Sequence, residues 1–348
     1  MVLELRQNIR LQEVGAIKIG RLGDKLESKR KQGYYYGQPK KLDHFLVVTK
    51  EKDASGNFIV NQEIMKKLGE HPTSLDIMLL YDDIDLNFYT YYGFYQGKKC
   101  LCHGDGETAI RKKRDGSQEK IVCDINTCAF AKKDSEGTQK CKLNGVLQVL
   151  LKEADIVGGV YVYRTTGRNS CYNLIASMLL VQSITGGMLA GIPFKLTLQP
   201  KMVSPENSSD YWKVFVVNII YPYGQQRLLE TAIDIAKRRM TAGVELKKIH
   251  DRARQLISAP LEESDEEAQD IVNEFYPEAQ DQFIEYVEDD TSVGLTTKDK
   301  ANQEPEIVEN FDDGDFSEEE NQNGKNNGNN NVKNNGGQQE DLLIEGVL

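Results

Sequence analysis

Cysteine is concentrated in one short part of this chain. Five of the six cysteines lie between Cys100 and Cys141, a segment of 42 residues in a chain of 348. Such a cluster constrains the fold strongly, because thiols that share a metal ion fix several points of the chain relative to one another. A metal site, a disulfide cluster, a redox centre and chance each remain possible from the crowding alone.

The spacing of four of these cysteines favours a structural zinc site. Cys123 and Cys128 are separated by four residues, which is common for two ligands of one zinc ion. A closed shell of four thiolates would stabilise the insertion at 100–141, which has too little apolar surface to fold alone. A disulfide or redox pair, or simply reduced thiols, are the alternatives. The predicted Zn2+ ligands are Cys102, Cys123, Cys128 and Cys141.

A β-hairpin is predicted between the first two of these ligands. The Asp115-Gly116 dipeptide is typical of a two-residue type I′ turn, and strands near 107–114 and 117–123 would return Cys123 to Cys102. Four consecutive cations would then lie beside the metal site. They suit a DNA backbone or an acidic protein, and a solvated turn is the alternative. These predicted DNA- or partner-binding residues are Arg111, Lys112, Lys113 and Arg114.

The remaining thiols are expected to have no metal. Cys100 is expected not to share an ion with Cys102, and His103, the next residue along an extended strand, should point away from Cys102. Cys171 lies on the apolar face of a helix predicted at 169–183, together with Leu174, Ile175, Met178 and Leu179. It is therefore expected to be a small core residue.

The rest of the chain alternates between strand-like and helical patterns. Strand-like runs recur from DHFLVVT (43–49) to YWKVFVVNIIYP (211–222), and a second helix is predicted at 225–257. The aromatic run FYTYYGFY (88–95) suits a buried strand, with a base-stacking platform as the alternative. The predicted fold is an α+β body at 1–258, mainly antiparallel sheet with a small zinc-stapled insertion (100–141), a C-terminal helix and a disordered acidic tail.

Charge divides the chain into two parts. Residues 261–348 contain 26 Asp and Glu against 4 Lys and Arg, whereas the whole chain contains 54 and 43. The first 260 residues therefore carry a net charge of +11 in a chain of net charge −11. A basic body favours contact with nucleic acid or with its own tail, and a merely solvated body is the alternative. Residues 259–348, acidic and rich in Asn and Gly, are predicted to be disordered because they cannot bury enough apolar surface.

Secretory, membrane and enzymatic functions have little support in the sequence. The N-terminal residues lack the apolar core of a signal peptide, and no 18-residue stretch is apolar enough to span a bilayer, so a cytoplasmic protein without membrane contact is expected. None of the four histidines has a recognisable catalytic or metal-binding partner, and no acid–base pair stands out. Asp82, Asp83 and Asp85 could bind a cation, although acids in a turn are usually solvated.

Six ordered segments between Gly15 and Tyr223 carry a family resemblance. They are GAIKIGRLG, KLDHFLVVT, CHGDGETAIRKK, CKLNGVLQVLL, GVYVYRTTGRNSCYNL and TGGMLAGIPFKLTLQPK. Together they resemble the phage recombination directionality factor-like proteins, accessory partners of large serine integrases. The family's spaced cysteines fall on the same four positions as the ligand set predicted from spacing.

The resemblance implies a phage or prophage protein without enzymatic activity that acts in the cytoplasm of a bacterial host cell. It would bind a large serine integrase and switch it from integration to excision, contacting DNA directly or through the integrase. Because some relatives lie among phage replication genes, the alternative is a zinc-containing accessory protein of phage DNA replication or single-stranded DNA binding.

Overall fold

Most of the chain forms antiparallel β-sheet with a few helices. The computed structural model describes residues 11–27, 35–132, 139–204, 211–243, 245–256 and 265–280. The strands are β1 (Glu13–Glu27), β2 (Tyr35–Lys52), β3 (Phe58–Val60), β4 (Ser74–Met78), β5 (Phe88–Gln96), β6 (Lys99–Gly104), β7 (Thr108–Lys112), β8 (Gln118–Val122), β9 (Cys141–Leu151), β10 (Val160–Thr165), β11 (Pro193–Val203) and β12 (Trp212–Ile220). The helices are α1 (Gln62–Leu68), α2 (Ile84–Asn87), α3 (Arg168–Thr185), α4 (Gln225–Thr241), α5 (Leu246–Leu256) and α6 (Asp265–Phe275). The prediction of an α+β fold with mainly antiparallel sheet is confirmed.

Strand β9 connects two parts of the sheet. Nine strands lie in the order β3-β2-β1-β10-β9-β5-β6-β7-β8. At its end, β9 also pairs with β4, where Leu151 lies opposite Ile77, and β4 continues through β11 to β12. Only β1 and β10 pair in parallel among these strands. Short hairpins join most sequence neighbours, and such connections require antiparallel strands.

Helix α3 packs against the main apolar core. Its buried side chains recur at helical spacing and include Cys171, Leu174, Met178 and Val181. Cys171 is therefore a core residue, as predicted. Leu179, which the sequence placed on the same face, is 52% exposed. It lies eight residues after Cys171, which rotates it by about 80° from that residue around the helix.

The helix predicted at 225–257 is divided into α4 and α5. Gly243 has a φ of +66°, a left-handed conformation that favours glycine and ends an α-helix. Both helices contact the acidic turn at 81–85. Among the described residues, no helix is long and apolar enough to cross a membrane.

Asp82 joins the acidic turn to α4. Its Oδ1 accepts hydrogen bonds of 2.8 Å from the backbone N–H groups of Leu189 and Ala190. The guanidinium of Arg239 donates to both carboxylate oxygens, at 2.9 Å and 3.3 Å, and also to the carbonyl of Ala190. Arg254 of α5 pairs with Asp83. Asp82 and Asp83 therefore hold helices in place rather than remaining solvated, whereas the Asp85 side chain is 83% exposed.

A third C-terminal helix extends the folded body beyond the predicted boundary at 258. Helix α6 and a short 3₁₀ helix (Pro277–Ala279) bury an apolar stripe against Tyr95 and Cys100 of the sheet. Lys18 pairs with Glu274, and the amide of Asn144 donates to the Tyr276 hydroxyl at 2.8 Å. The prediction that the whole of 259–348 is disordered is therefore wrong for residues 265–280, which do bury apolar surface. Residues 281–348 of that predicted tail lie outside the described residues.

Candidate metal centre

Two of the predicted ligands lie in one row across the sheet. Cys102 on β6 and Cys141 on β9 both pair with Phe94 on the intervening strand β5. Directly paired residues project from the same face of a sheet. The two thiols therefore flank the Phe94 ring on one face, although 39 positions separate them in sequence.

A turn that follows β8 brings the other two cysteines toward this row. The N–H of Cys123 donates to the Glu107 carbonyl at 2.9 Å, at the end of the β7–β8 hairpin. The N–H of Cys128 donates to the Asp124 carbonyl at 2.9 Å, which closes a helical turn between the two thiols. The N–H of Cys141 then donates to the Phe130 carbonyl at 2.7 Å and ties the turn to β9.

The hairpin prediction is correct in its strands and wrong in its turn. Strands β7 and β8 pair from Thr108 to Val122. The N–H of Gly116 donates to the Lys113 carbonyl at 3.0 Å, and the N–H of Lys113 donates to the Ser117 carbonyl at 2.8 Å. Gly116 has a φ of +85°, but Asp115 does not have a positive φ. The connection is thus a longer loop with a left-handed glycine, rather than a two-residue type I′ turn.

Aromatic rings cover the thiol row. Phe130 stacks on Phe94 with ring centroids 4.3 Å apart and an interplanar angle of 14°. The guanidinium of Arg111 lies 5.5 Å from the centroid of Phe130, and Arg111 pairs directly with Cys102 across β6 and β7. This arrangement places one cation beside the thiols and covers them in part, since Cys141 is buried and Cys102 is half-buried.

The protonation of these thiols reflects burial and mutual repulsion. Burial, together with repulsion from the Cys102, Cys128 and Cys123 thiolates, raises the pKa of Cys141 to about 12 against the opposing charge of Arg111. Burial also raises the pKa of Cys102, while the Arg111 guanidinium acts in the opposite direction. Burial raises the pKa of Cys123, with a hydrogen bond from the Gly106 backbone opposing the shift. The four thiols are therefore close enough to influence one another's protonation, and a cation among them would favour their ionised forms.

The sulfurs are nevertheless more widely spaced than in a closed metal shell. All six cysteines are free thiols. Of the described residues, Asp43, His44 and His71 form the one group that brings three potential ligand atoms within 4.8 Å of one another. No three of the cysteine sulfurs meet that distance, so a bound ion would have to draw them together.

The Asp43, His44 and His71 cluster is not apparent from the sequence. The His44 and His71 rings stack with centroids 4.2 Å apart, and Asp43 Oδ1 lies 2.8 Å from His44 Nδ1. The cluster forms because the N–H of Phe45 donates to the Pro72 carbonyl, which joins β2 to the loop before β4. The two histidines are 27 positions apart, and no local spacing signals their contact.

The four predicted DNA- or partner-binding cations do not form one exposed surface. Arg111 faces the thiols and Phe130, and Lys112 is half-buried. Lys113 pairs with Glu119 at 3.2 Å, and Arg114 is exposed in the loop. The first cation of the run is thus part of the thiol site, which the run of charges alone does not reveal.

The other residues weighed as ligands lie elsewhere. Cys100 is buried with Tyr95 on the face covered by α6, opposite the thiol row. Residues two apart in a regular strand share a face, so it is the register shift between Phe94 and Tyr95 that separates Cys100 from Cys102. His103 is buried, and burial lowers the pKa of its imidazole. The aromatic run in β5 is also largely buried, with Tyr91, Phe94 and Tyr95 between 1% and 8% exposed. It therefore supplies core rather than a base-stacking platform.

Comparison with known proteins gives one family. A family model described as Gp3-like, recombination directionality factor-like, matches residues 14–222. This range extends from β1 past the end of β12, contains the thiol site and covers more than half of the chain. No curated protein and no solved structure matches.

Proposed function

The chain belongs to the recombination directionality factor-like family, and from this premise we propose that it controls the direction of DNA recombination by a large serine integrase. In this proposal it binds the integrase and switches it from integration to excision. The observation that carries the proposal is the family match over residues 14–222, which includes every strand of the sheet except the first residue of β1. The protein would act in the cytoplasm of a bacterial host cell, where phage or prophage DNA is recombined.

Such a protein needs no catalytic activity of its own. An integrase bound to two DNA sites has alternative subunit arrangements, and an accessory that binds only one of them shifts the population by its differential affinity. A shift from 1:99 to 99:1 requires about 5.5 kcal/mol, which one ordinary protein interface can supply. We therefore propose a stoichiometric, non-enzymatic partner that reaches DNA directly or through the integrase.

The test is a recombination assay with an integrase encoded in the same genome. All four pairings of attachment sites are incubated with and without the protein, over a range of molar ratios. We expect stimulation between the two hybrid product sites, inhibition of the integration reaction and saturation near stoichiometric amounts. Tight binding to single-stranded DNA without any effect on the integrase would overturn the proposal and favour a replication accessory.

We also propose that Cys102, Cys123, Cys128 and Cys141 bind one structural Zn2+. Support comes from the position of two thiols in one sheet row, the turn that carries the other two toward it and the adjacent Arg111 charge. Zinc bound there would hold the β7–β8 hairpin and the following turn on the sheet. These elements otherwise have little apolar surface to stabilise them.

Metal analysis tests the zinc proposal independently of recombination. The purified wild-type protein should contain about one zinc per chain, because four thiolates complete one tetrahedral shell. Cys128→Ser should lose the metal and loosen the insertion, whereas the matched variant Cys100→Ser should retain the metal. Wild-type protein with no zinc and four freely titrating thiols in the native state would contradict the proposal.

A further inference from the structure

The β1–β2 hairpin extends beyond the sheet as a two-stranded ribbon. Strand β1 pairs with β10 only from Glu13 to Ile17. From Gly20 to Glu27 its described strand partner is β2 alone, from Lys41 back to Tyr35. Eight residues of extended chain span roughly 25 Å. The N–H of Leu22 donates to Asn57 Oδ1 at 3.0 Å, which braces the start of the ribbon against the β2–β3 turn.

The base of this ribbon carries cations that repel one another across the two strands. Arg21 and Lys40 are exposed and directly paired across the two strands, so their side chains share one face. Lys41 is exposed and pairs with Gly20, which places its charge on the other face. Like charges directly opposite one another destabilise a strand pair. No ion pair joins any of these three cations to a carboxylate in the part of the chain that the structure describes.

The net charge of the ribbon is also positive. The ribbon residues that the structure describes, 20–27 and 35–41, contain four Lys and Arg against two Asp and Glu. An anion bound between Arg21 and Lys40 would remove the repulsion between them. A two-stranded ribbon fits the major groove of duplex DNA, where cations on its two faces can approach the phosphates of both strands.

We infer that the β1–β2 ribbon is a DNA-contacting arm, in which Arg21, Lys40 and Lys41 bind backbone phosphates. This inference goes beyond the proposed function, because an accessory that acts through an integrase needs no direct contact with DNA. It also differs from the cations predicted at 111–114, the first of which faces the thiols. Phosphate contacts carry no base information, so the arm would bind duplex DNA without strong sequence preference.

Fluorescence anisotropy with a labelled DNA duplex and the full chain, without integrase, tests the arm. The triple variant Arg21→Gln, Lys40→Gln, Lys41→Gln should bind at least about tenfold more weakly at low salt. The slope of log affinity against log salt should fall by about 2.7 for three lost phosphate contacts. The matched control replaces three exposed lysines elsewhere, Lys66, Lys99 and Lys201, by Gln. It removes the same charge and should change the slope by less than about 1.

One further variant separates DNA contact from a structural role. Lys40→Glu creates an opposite-charge pair with Arg21, so it should leave the melting temperature unchanged or slightly higher while DNA affinity falls. If the melting temperature fell together with the DNA affinity, the inference would be overturned. Undetectable DNA binding by the wild-type chain at low salt, or equal effects of the ribbon and control variants, would also overturn it. The inference would also be overturned if the ribbon variants bound DNA normally and lost only binding to the integrase protein. The arm would then contact an acidic protein surface.

Discussion

The contacts of Asp82 allow the stability of the C-terminal helices to be predicted. Replacing Asp82 by Ala leaves the Arg239 guanidinium without its carboxylate and frees the Leu189 and Ala190 amides. Breaking a buried ion pair in this way costs about 3–5 kcal/mol. The two side chains retain 15% and 17% of their exposure, so solvent screening reduces the expected loss to about 2–4 kcal/mol. For a body of this size the melting temperature should fall by roughly 6–12 °C.

Urea unfolding followed by circular dichroism measures this loss. Asp85→Ala is the matched control, because the Asp85 side chain is 83% exposed and its ion pair with Arg254 is 3.8 Å long. The control should change the free energy of unfolding by less than about 0.5 kcal/mol. Asp82→Asn retains an oxygen for the two amides and should give an intermediate loss. If Asp82→Ala and Asp85→Ala have equal effects, the ion pair does not anchor α4 and the reasoning is wrong.

Four further outcomes follow from charge, burial and packing. Removal of residues 281–348, which contain 18 Asp and Glu against 4 Lys, should leave the fold intact and strengthen DNA binding at low salt. Truncation at residue 260 should instead destabilise the body in a thermal melt, because it uncovers Tyr95. Burial alone would raise the pKa of Glu13, but the Arg164 guanidinium holds that pKa below its usual value. The ion pair therefore stabilises the fold at neutral pH, and this stabilisation is lost as the Glu13 carboxyl protonates on acidification. Glu13→Gln should therefore flatten the dependence of unfolding free energy on acidic pH, and an unchanged profile would exclude the assignment. Gly145→Ala should cost about 1–3 kcal/mol in the same unfolding assay, since its Cβ would lie 2.7 Å from Phe88 and 2.9 Å from the Cys171 sulfur.

Local patterns in the sequence predict the strands and the α3 helix. These features depend on alternation and helical spacing, which a single segment specifies by itself. The α6 helix could also have been found, because Ala268, Ile271 and Val272 recur at helical spacing within an acidic background. Its charged composition masked that periodicity.

Other features depend on contacts between distant segments. The row of Cys102, Phe94 and Cys141 requires the order of β6, β5 and β9 in the sheet, which no spacing encodes. The approach of His44 to His71 depends on a backbone hydrogen bond between β2 and the loop before β4. Arg111 faces inward because of its cross-strand pairing, although it belongs to a run of cations that resembles an exposed patch. Sequence alone therefore identified candidate ligands without predicting their separation.

The parallel pairing of β1 with β10 has a consequence for folding during synthesis. The β1–β2 hairpin can form as soon as residue 52 has left the ribosome, but β1 pairs with a strand that ends only at Thr165. Until more than 100 further residues have been made, one edge of β1 has unpaired backbone groups. Closing so long a loop is slow, and an open edge can pair with another nascent chain. The exposed cations of the ribbon would repel a second copy, so the same charges that suit phosphate also protect this edge from aggregation.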